Sequence, residues 1–154
     1  LDESIKELDI GKAEVMRTGS DVAFICLGPL VYDALAVADR LASEFGLSAS
    51  VINARFAKPL DKKVIADALT SHAVCCTLED HAITGGFGTA VAELIQDQGL
   101  QLASPLLRFG AGDDFVPHAS QAEQREAEGY SPDRMFERLS KLFVRSSAKN
   151  VVGF

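Results

Sequence analysis

No apolar run in this chain approaches the roughly 20 residues of a membrane-spanning helix. The N-terminus also lacks the charged-then-apolar pattern of a signal peptide. Basic charge is in deficit, since 15 Lys and Arg face 22 Asp and Glu for a net charge of −7. That balance argues against nucleic acid, which asks for clustered Lys and Arg, and against an anionic membrane surface. Cysteine is scarce and odd in number: Cys26, Cys75 and Cys76 all sit in apolar runs. They read as buried thiols in a reducing cytoplasm, not as a disulfide framework. Cys75 and Cys76 are neighbours in a strand, point to opposite faces and cannot act as a C-x-x-C pair. His72, His81 and His118 are the only histidines, and none has a metal-ligand spacing. There is no internal repeat, no G-x-G-x-x-G and no Gly-Lys-Ser/Thr. A metal site and a nucleotide fingerprint are both excluded on these grounds.

What is present suits one soluble domain. The 154 residues are enough to bury roughly 70% of the unfolded surface. Hydrophobic residues make up 47% and charged residues 24%, ordinary values for a globular protein. Lys12 to Arg17 alternates as a strand, and Thr18-Gly19-Ser20 closes it as a tight turn to its neighbour. Val22 to Leu27 is apolar without alternation, as expected of a strand covered on both faces. Val31, Ala34, Leu35, Ala38, Leu41, Ala42 and Phe45 recur at helical spacing, and Gly46 supplies the stop. Leu47–Ala54 and Ala73–Leu78 read as further buried strands, with Asp61 as N-cap of a short helix between them. A helix follows from Phe87 to Gly99, and Pro105–Phe109 is one more strand. Ser120 to Glu123 is a capping box opening a short polar helix. Ser131-Pro132 starts a last helix carrying Met135, Phe136, Leu139, Leu142 and Phe143. The alternation predicts an α/β, three-layer fold with a mostly parallel five-stranded sheet, one antiparallel edge strand and helices on both faces. Residues 1–10 read as a linker or strap, 11–144 as the domain and 145–154 as a flexible tail. The start at Leu1, without methionine, reads as a piece of something longer.

The stretch that most invites a functional claim is Glu79-Asp80-His81-Ala82-Ile83-Thr84-Gly85-Gly86-Phe87-Gly88, an acidic-plus-histidine turn running into glycines and a helix. Glu79, Asp80 and His81 have the residue types of a general acid/base cluster. No nucleophile or cofactor motif accompanies them, so a loop held by local hydrogen bonds or a subunit contact is favoured. The glycines sit where helix N-terminal amides could cradle a phosphate. Their commoner use is to let the helix start pack closely on the sheet or on a partner chain. Asp113-Asp114 reads as a turn cap. Arg55, at a strand end, has the charge for a phosphate, but pairing with an acidic group across an interface is favoured. The loop and interface candidates are therefore Arg55, Glu79, His81, Gly85, Gly86, Phe87, Gly88 and His118, with the outer side of Phe87 and the Ile83-Thr84 turn as a dimer contact. No catalytic, cofactor-binding or metal residue is assigned.

Four segments together resemble a known family. They are Leu8-Asp9-Ile10-Gly11-Lys12-Ala13-Glu14-Val15, the run from Val51 to Asp61 (VINARFAKPLD), Glu79 to Gly88, and Phe115-Val116-Pro117-His118-Ala119-Ser120-Gln121. In that order they are similar to the C-terminal domain of the 1-deoxy-D-xylulose-5-phosphate synthases, over roughly residues 8–143. The A-R-F-x-K-P-L-D and G-G-F-G segments are shared with the wider transketolase C-terminal domain, including the beta subunits of 2-oxo acid dehydrogenases. The F-x-P-H-x-S-Q segment and the I-G-K start favour the synthases. Asp80 stands where the synthases commonly have another acidic residue or asparagine, and His118-Ala119 where a glycine often follows. The resemblance implies a thiamine-diphosphate and Mg2+ enzyme that condenses pyruvate with glyceraldehyde 3-phosphate, releasing carbon dioxide, to feed isoprenoid, thiamine and pyridoxal synthesis. It also implies that cofactor, metal and substrates are held by two preceding domains, and that this third domain supports them and contributes to a cytoplasmic homodimer. Its expected partners are those domains and a second copy, with no nucleic acid and no membrane. Alone, the fragment is expected to bind no cofactor and to be inactive. The alternatives are the beta-subunit domain of a 2-oxo acid dehydrogenase, or a free-standing phosphate- or nucleotide-binding regulatory module.

Overall fold

The computed structural model describes residues 7–149. Residues 1–6 of the expected strap and 150–154 of the expected tail lie outside the described residues. Five strands, β1 (Glu14–Arg17), β2 (Val22–Cys26), β3 (Ala49–Asn53), β4 (Val74–Ala82) and β5 (Leu107–Ala111), form one sheet in the order β1-β3-β2-β4-β5. The pairs β2–β3, β2–β4 and β4–β5 are parallel, and β1–β3 is antiparallel. Among the described residues five helices pack around it: α1 (Leu30–Phe45), α2 (Lys62–Ser71), α3 (Phe87–Gln98), α4 (Gln121–Ala127) and α5 (Pro132–Lys149).

β2 is the centre, and all five of its residues are buried. Its period-2 alternation sends Val22, Phe24 and Cys26 to one face, where they pack with Leu30, Ala34, Leu41 of α1 and Met135, Leu139 of α5. Ala23 and Ile25 face the other way, against Ile65 and Leu69 of α2 and Phe87, Val91 and Leu94 of α3. Cys76 belongs to the first cluster and Cys75 to the second, so the adjacent thiols do point to opposite faces. Local signals set the helix ends as expected. Gly46 stops α1 in the left-handed conformation, with its N–H turned back to the last carbonyls. Asp61 caps α2 through Oδ1 to the Val64 amide at 3.3 Å, and its Oδ2 takes the Ala13 amide at 3.2 Å. Ser120 and Glu123 form the capping box of α4.

Three boundaries differ from expectation. The tight hairpin between β1 and β2 does not form. β1 is the antiparallel edge, but its partner is β3, because both sides of β2 are taken by parallel neighbours. The Thr18–Ser20 turn instead steps over the start of β3. A Cβ on Gly19 would overlap the Ala49 backbone, and the Gly19 amide bonds Ser50 Oγ at 2.9 Å. β4 runs on to Ala82, so Glu79, Asp80 and His81 lie in a strand with a register irregularity and not in a turn. Finally, α5 continues to Lys149, beyond the expected tail boundary at residue 145. Once a helix is nucleated, residues such as Ala and Lys extend it at one hydrogen bond each.

The crossover from β3 to β4 passes over β2, so the connections leaving β2 and β4 diverge to opposite faces. Between their carboxyl ends lies the topological switch point, where open α/β sheets commonly place ligands.

Candidate functional site

Strand periodicity turns Glu79 and Asp80 to opposite faces of the sheet at this edge. Glu79 goes inward. It is 1% exposed, its Oε2 accepts the Phe87 amide at 2.6 Å, and its Oε1 accepts the Gly88 amide at 2.7 Å. These are the first free amides of α3, at the positive end of its dipole, where a carboxylate is stabilised by charge-assisted bonds. Three glycines shape the socket. A Cβ on Gly86 would overlap the Glu79 carboxylate, one on Gly88 would lie 3.1 Å from Oε1, and one on Gly110 3.0 Å from Cγ. The amides that could have cradled a phosphate are therefore occupied by the chain's own side chain. Thr77 Oγ1, beside Gly88, is buried without a hydrogen-bond partner among the described residues.

The rest of the turn is tied down locally. Gly85 adopts φ 73° and donates its N–H to Thr89 Oγ1 at 3.2 Å, while Thr89 Oγ1 donates to the Ile83 carbonyl at 2.8 Å. Arg108 Nη1 reaches both Ile83 O and Thr89 Oγ1. His81 is 56% exposed on side-chain area, with Nδ1 3.3 Å from Glu79 Oε2 and 3.1 Å from Ala82 O. Phe87 corrects an expectation. It is 2% exposed and packs in the α2–α3 core, so it has no outer side to offer a partner. The first helical residue follows the glycine turn inward, and a charge placed there would disrupt that core.

Asp80 points the other way, into a polar cluster. It is held by Arg125 through Nη2 at 2.5 Å and Nε at 3.2 Å, by Tyr130 Oη at 3.1 Å, and by Gln121 Nε2 at 2.9 Å. Arg125 Nη1 also lies 3.3 Å from Asp33, in the first turn of α1. One guanidinium from α4 thus ties together the carboxyl ends of β2 and β4 at the switch point. Sequence reading treated α4 as a polar surface helix and missed this. The available signal was Gln121 and Arg125 at i, i+4, which share one helix face. Bonding to Arg125 first, and to Tyr130, holds the Asp80 carboxyl below the usual range, whereas burial raises that of Asp33 despite Arg125. Burial and the Asp80 bond push the Tyr130 phenol up to about 12.

These directions have a measurable consequence. A carboxylate with a depressed folded pKa stabilises the fold above its unfolded value, near 3.9, and loses that contribution as pH falls through the folded value. Asp33, with a raised value, acts in the opposite sense, and its contribution is lost as pH rises through its folded pKa. Asp80→Asn is therefore expected to narrow the gap between melting temperatures at pH 7 and pH 3. An unchanged gap would show that Asp80 contributes nothing to acid sensitivity.

The remaining candidates stand apart from this edge cluster. Arg55 follows β3 with φ 57°, and its Nη2 pairs with Glu14 at 2.6 Å. An acidic partner for it thus lies within the chain, on the antiparallel edge strand. His118 is exposed in the connection between β5 and α4. Among the described residues no three His, Cys, Asp or Glu side chains converge as a metal site. No described helix is long and apolar enough to cross a membrane.

Comparison with known proteins agrees with the geometry. Residues 11–135 match the family model of the transketolase C-terminal domain. The chain is 41% identical over 148 residues to the 1-deoxy-D-xylulose-5-phosphate synthase of Picosynechococcus sp., covering 96% of this chain and 23% of that protein. It is 47% identical over 131 residues to the synthase of Thermomicrobium roseum, covering 85% of this chain and 20% of that one. Among solved structures, a split-gene transketolase described as an inactive beta4 tetramer superposes with a TM-score of 0.78 and 26% identity. That match covers 88% of this chain and 43% of the other. The chain spans less than a quarter of the length of these two synthases. It belongs to the transketolase C-terminal domain family.

Proposed function

We propose that this chain is the C-terminal domain of a 1-deoxy-D-xylulose-5-phosphate synthase, and that it serves assembly and support of the enzyme, not its chemistry. The observation that carries the reading is identity of 40% or more, across nearly the whole chain, to several synthases of that name. The full-length enzyme would condense pyruvate with glyceraldehyde 3-phosphate, using thiamine diphosphate and Mg2+ held by the preceding domains, as a cytoplasmic homodimer.

The residues of this chain do not fit a diphosphate cofactor at the glycine turn, because the two α3 amides already hold Glu79. The same contact removes the site on which a free-standing phosphate- or nucleotide-binding module would depend. The 2-oxo acid dehydrogenase reading lacks support, since the relatives in view bear the synthase name.

The test has two arms. The full-length protein from the same gene is expected to form 1-deoxy-D-xylulose 5-phosphate from the two substrates. The isolated chain is expected to show neither turnover nor heat of binding when titrated with thiamine diphosphate and Mg2+. Tight cofactor binding by the chain alone, or a full-length protein without synthase activity, would overturn the reading.

A further inference from the structure

At the carboxyl ends of β2 and β3 lies a cleft of about 550 Å3, lined by Leu8, Gly28, Pro29, Tyr32, Arg55 and Phe56 among others. Tyr32 stands 68% exposed on its rim, and Ile10 at the end of the strap is 77% exposed. The other exposed positions of α1 between Tyr32 and its last residue are Ala36, Asp39, Ala42, Ser43 and Glu44, small or polar residues that need no cover. An exposed aromatic beside the exposed Leu8 and Ile10 of the strap is a different kind of surface.

We propose that this cleft is the seat of the preceding part of the same polypeptide, docking on Tyr32, Phe56 and Leu8. The inference rests on the reading of the chain as a C-terminal domain. Three observations select this occupant. The synthase relatives are more than four times as long as the matched segment, and the family match begins at residue 11, so in a protein of that length the preceding domains are joined through residues 7–10. Leu8, on that joining segment, is itself part of the cleft wall. A covalently tethered domain therefore meets this surface at high effective concentration, which a free partner does not. Among the described residues the one cation in the wall, Arg55, is paired with Glu14 at 2.6 Å, so these residues offer no free positive charge to an anionic small molecule. Its mixture of apolar wall and paired charge suits an inter-domain contact, which is typically more polar than an obligate subunit interface.

Cysteine labelling of the full-length enzyme tests this. The chain's own Cys26, Cys75 and Cys76 are buried, and peptide mapping reads each site separately. Tyr32→Cys is compared with Ser43→Cys, which lies on the same helix about 16 Å along its axis at 1.5 Å per residue. In active enzyme, Tyr32→Cys is expected to react with a maleimide at least about 20-fold more slowly than Ser43→Cys, a protection ratio that a buried contact readily gives. Ile10→Cys gives a second readout from the joining segment and is expected to be protected likewise. Equal rates at positions 32 and 43 in enzyme that retains synthase activity would overturn the docking while leaving the function intact. Protection that disappears on dilution of the enzyme to monomer would assign the cleft to a second copy and overturn it equally. Loss of the functional reading shows up separately, as wild-type protein without synthase activity.

Discussion

Glu79→Ala is expected to lower the melting temperature of the chain by about 10 °C. The replacement leaves the Phe87 and Gly88 amides buried without an acceptor, since both now bond the carboxylate at 2.6 and 2.7 Å. Each unsatisfied buried donor costs roughly 1–3 kcal/mol. The void left by the side chain adds to that, and relief of the carboxylate's desolvation subtracts from it, for a net loss of about 3 kcal/mol. At roughly 2–4 °C per kcal/mol for a domain of this size, the shift is of order 10 °C. Glu79→Gln retains the volume and one acceptor oxygen but turns an NH2 group toward the second amide. It should therefore lose about half as much. Thermal unfolding of the three proteins measures this directly. A shift below about 2 °C in Glu79→Ala, the effect of a single kcal/mol or less, would mean that the socket does not anchor α3.

The elements of this fold whose signals are local were legible in the sequence. α1 shows its apolar stripe and its Gly46 stop, Asp61 caps α2, and Ser120 with Glu123 opens α4. The uninterrupted apolar run of β2 announces a strand buried on both faces, and it is the centre of the sheet. What failed were features decided by partners distant in sequence. Nothing in Lys12 to Arg17 says that its neighbour is β3 and not β2. That depends on which edges remain free after the parallel pairs have formed.

The site divides along the same line. The glycines predict a close approach of the sheet or of a partner chain, and in the structure the Glu79 carboxylate and the Ala82 carbonyl lie against Gly86. Glu79 reaches across eight and nine positions to two backbone amides, and only the assembled strand–helix corner defines that pairing. An outer side of Phe87 is expected at a dimer contact, whereas its helical position sends the ring into the α2–α3 core. Arg55 has the charge for an acidic partner, and β1 supplies one within the chain in Glu14, which its position in the sequence does not announce. Arg125 went unnoticed because a cation on a polar helix ordinarily faces solvent. Here, 45 and 92 positions from its carboxylate partners, it closes the switch point.

Gly86→Ala is the second large effect, and its cause is separable from ordinary glycine conformational freedom. Gly86 has φ −89°, which any residue adopts, so its backbone is not the obstacle. The obstacle is space, because an added methyl would overlap both the Glu79 carboxylate and the Ala82 carbonyl. Either Glu79 leaves the amides of Phe87 and Gly88 or the start of α3 shifts off the sheet. Overpacking and a lost pair of buried bonds together cost about 3 kcal/mol or more, again near 10 °C in melting temperature. Gly85 provides the contrast. It needs φ 73°, yet nothing lies within 4 Å of a Cβ placed there. Gly85→Ala should cost about 1 kcal/mol, the left-handed penalty alone. The reverse order of the two glycines would refute the socket geometry. The double replacement Glu79→Ala with Gly86→Ala sharpens the test. The new methyl enters space that the carboxylate has vacated, so the combined loss should fall short of the sum of the single losses by about 1 kcal/mol or more. Strict additivity would mean that the methyl at position 86 conflicts with the Ala82 backbone alone. In that case Glu79 and the glycine turn would not act as one joint.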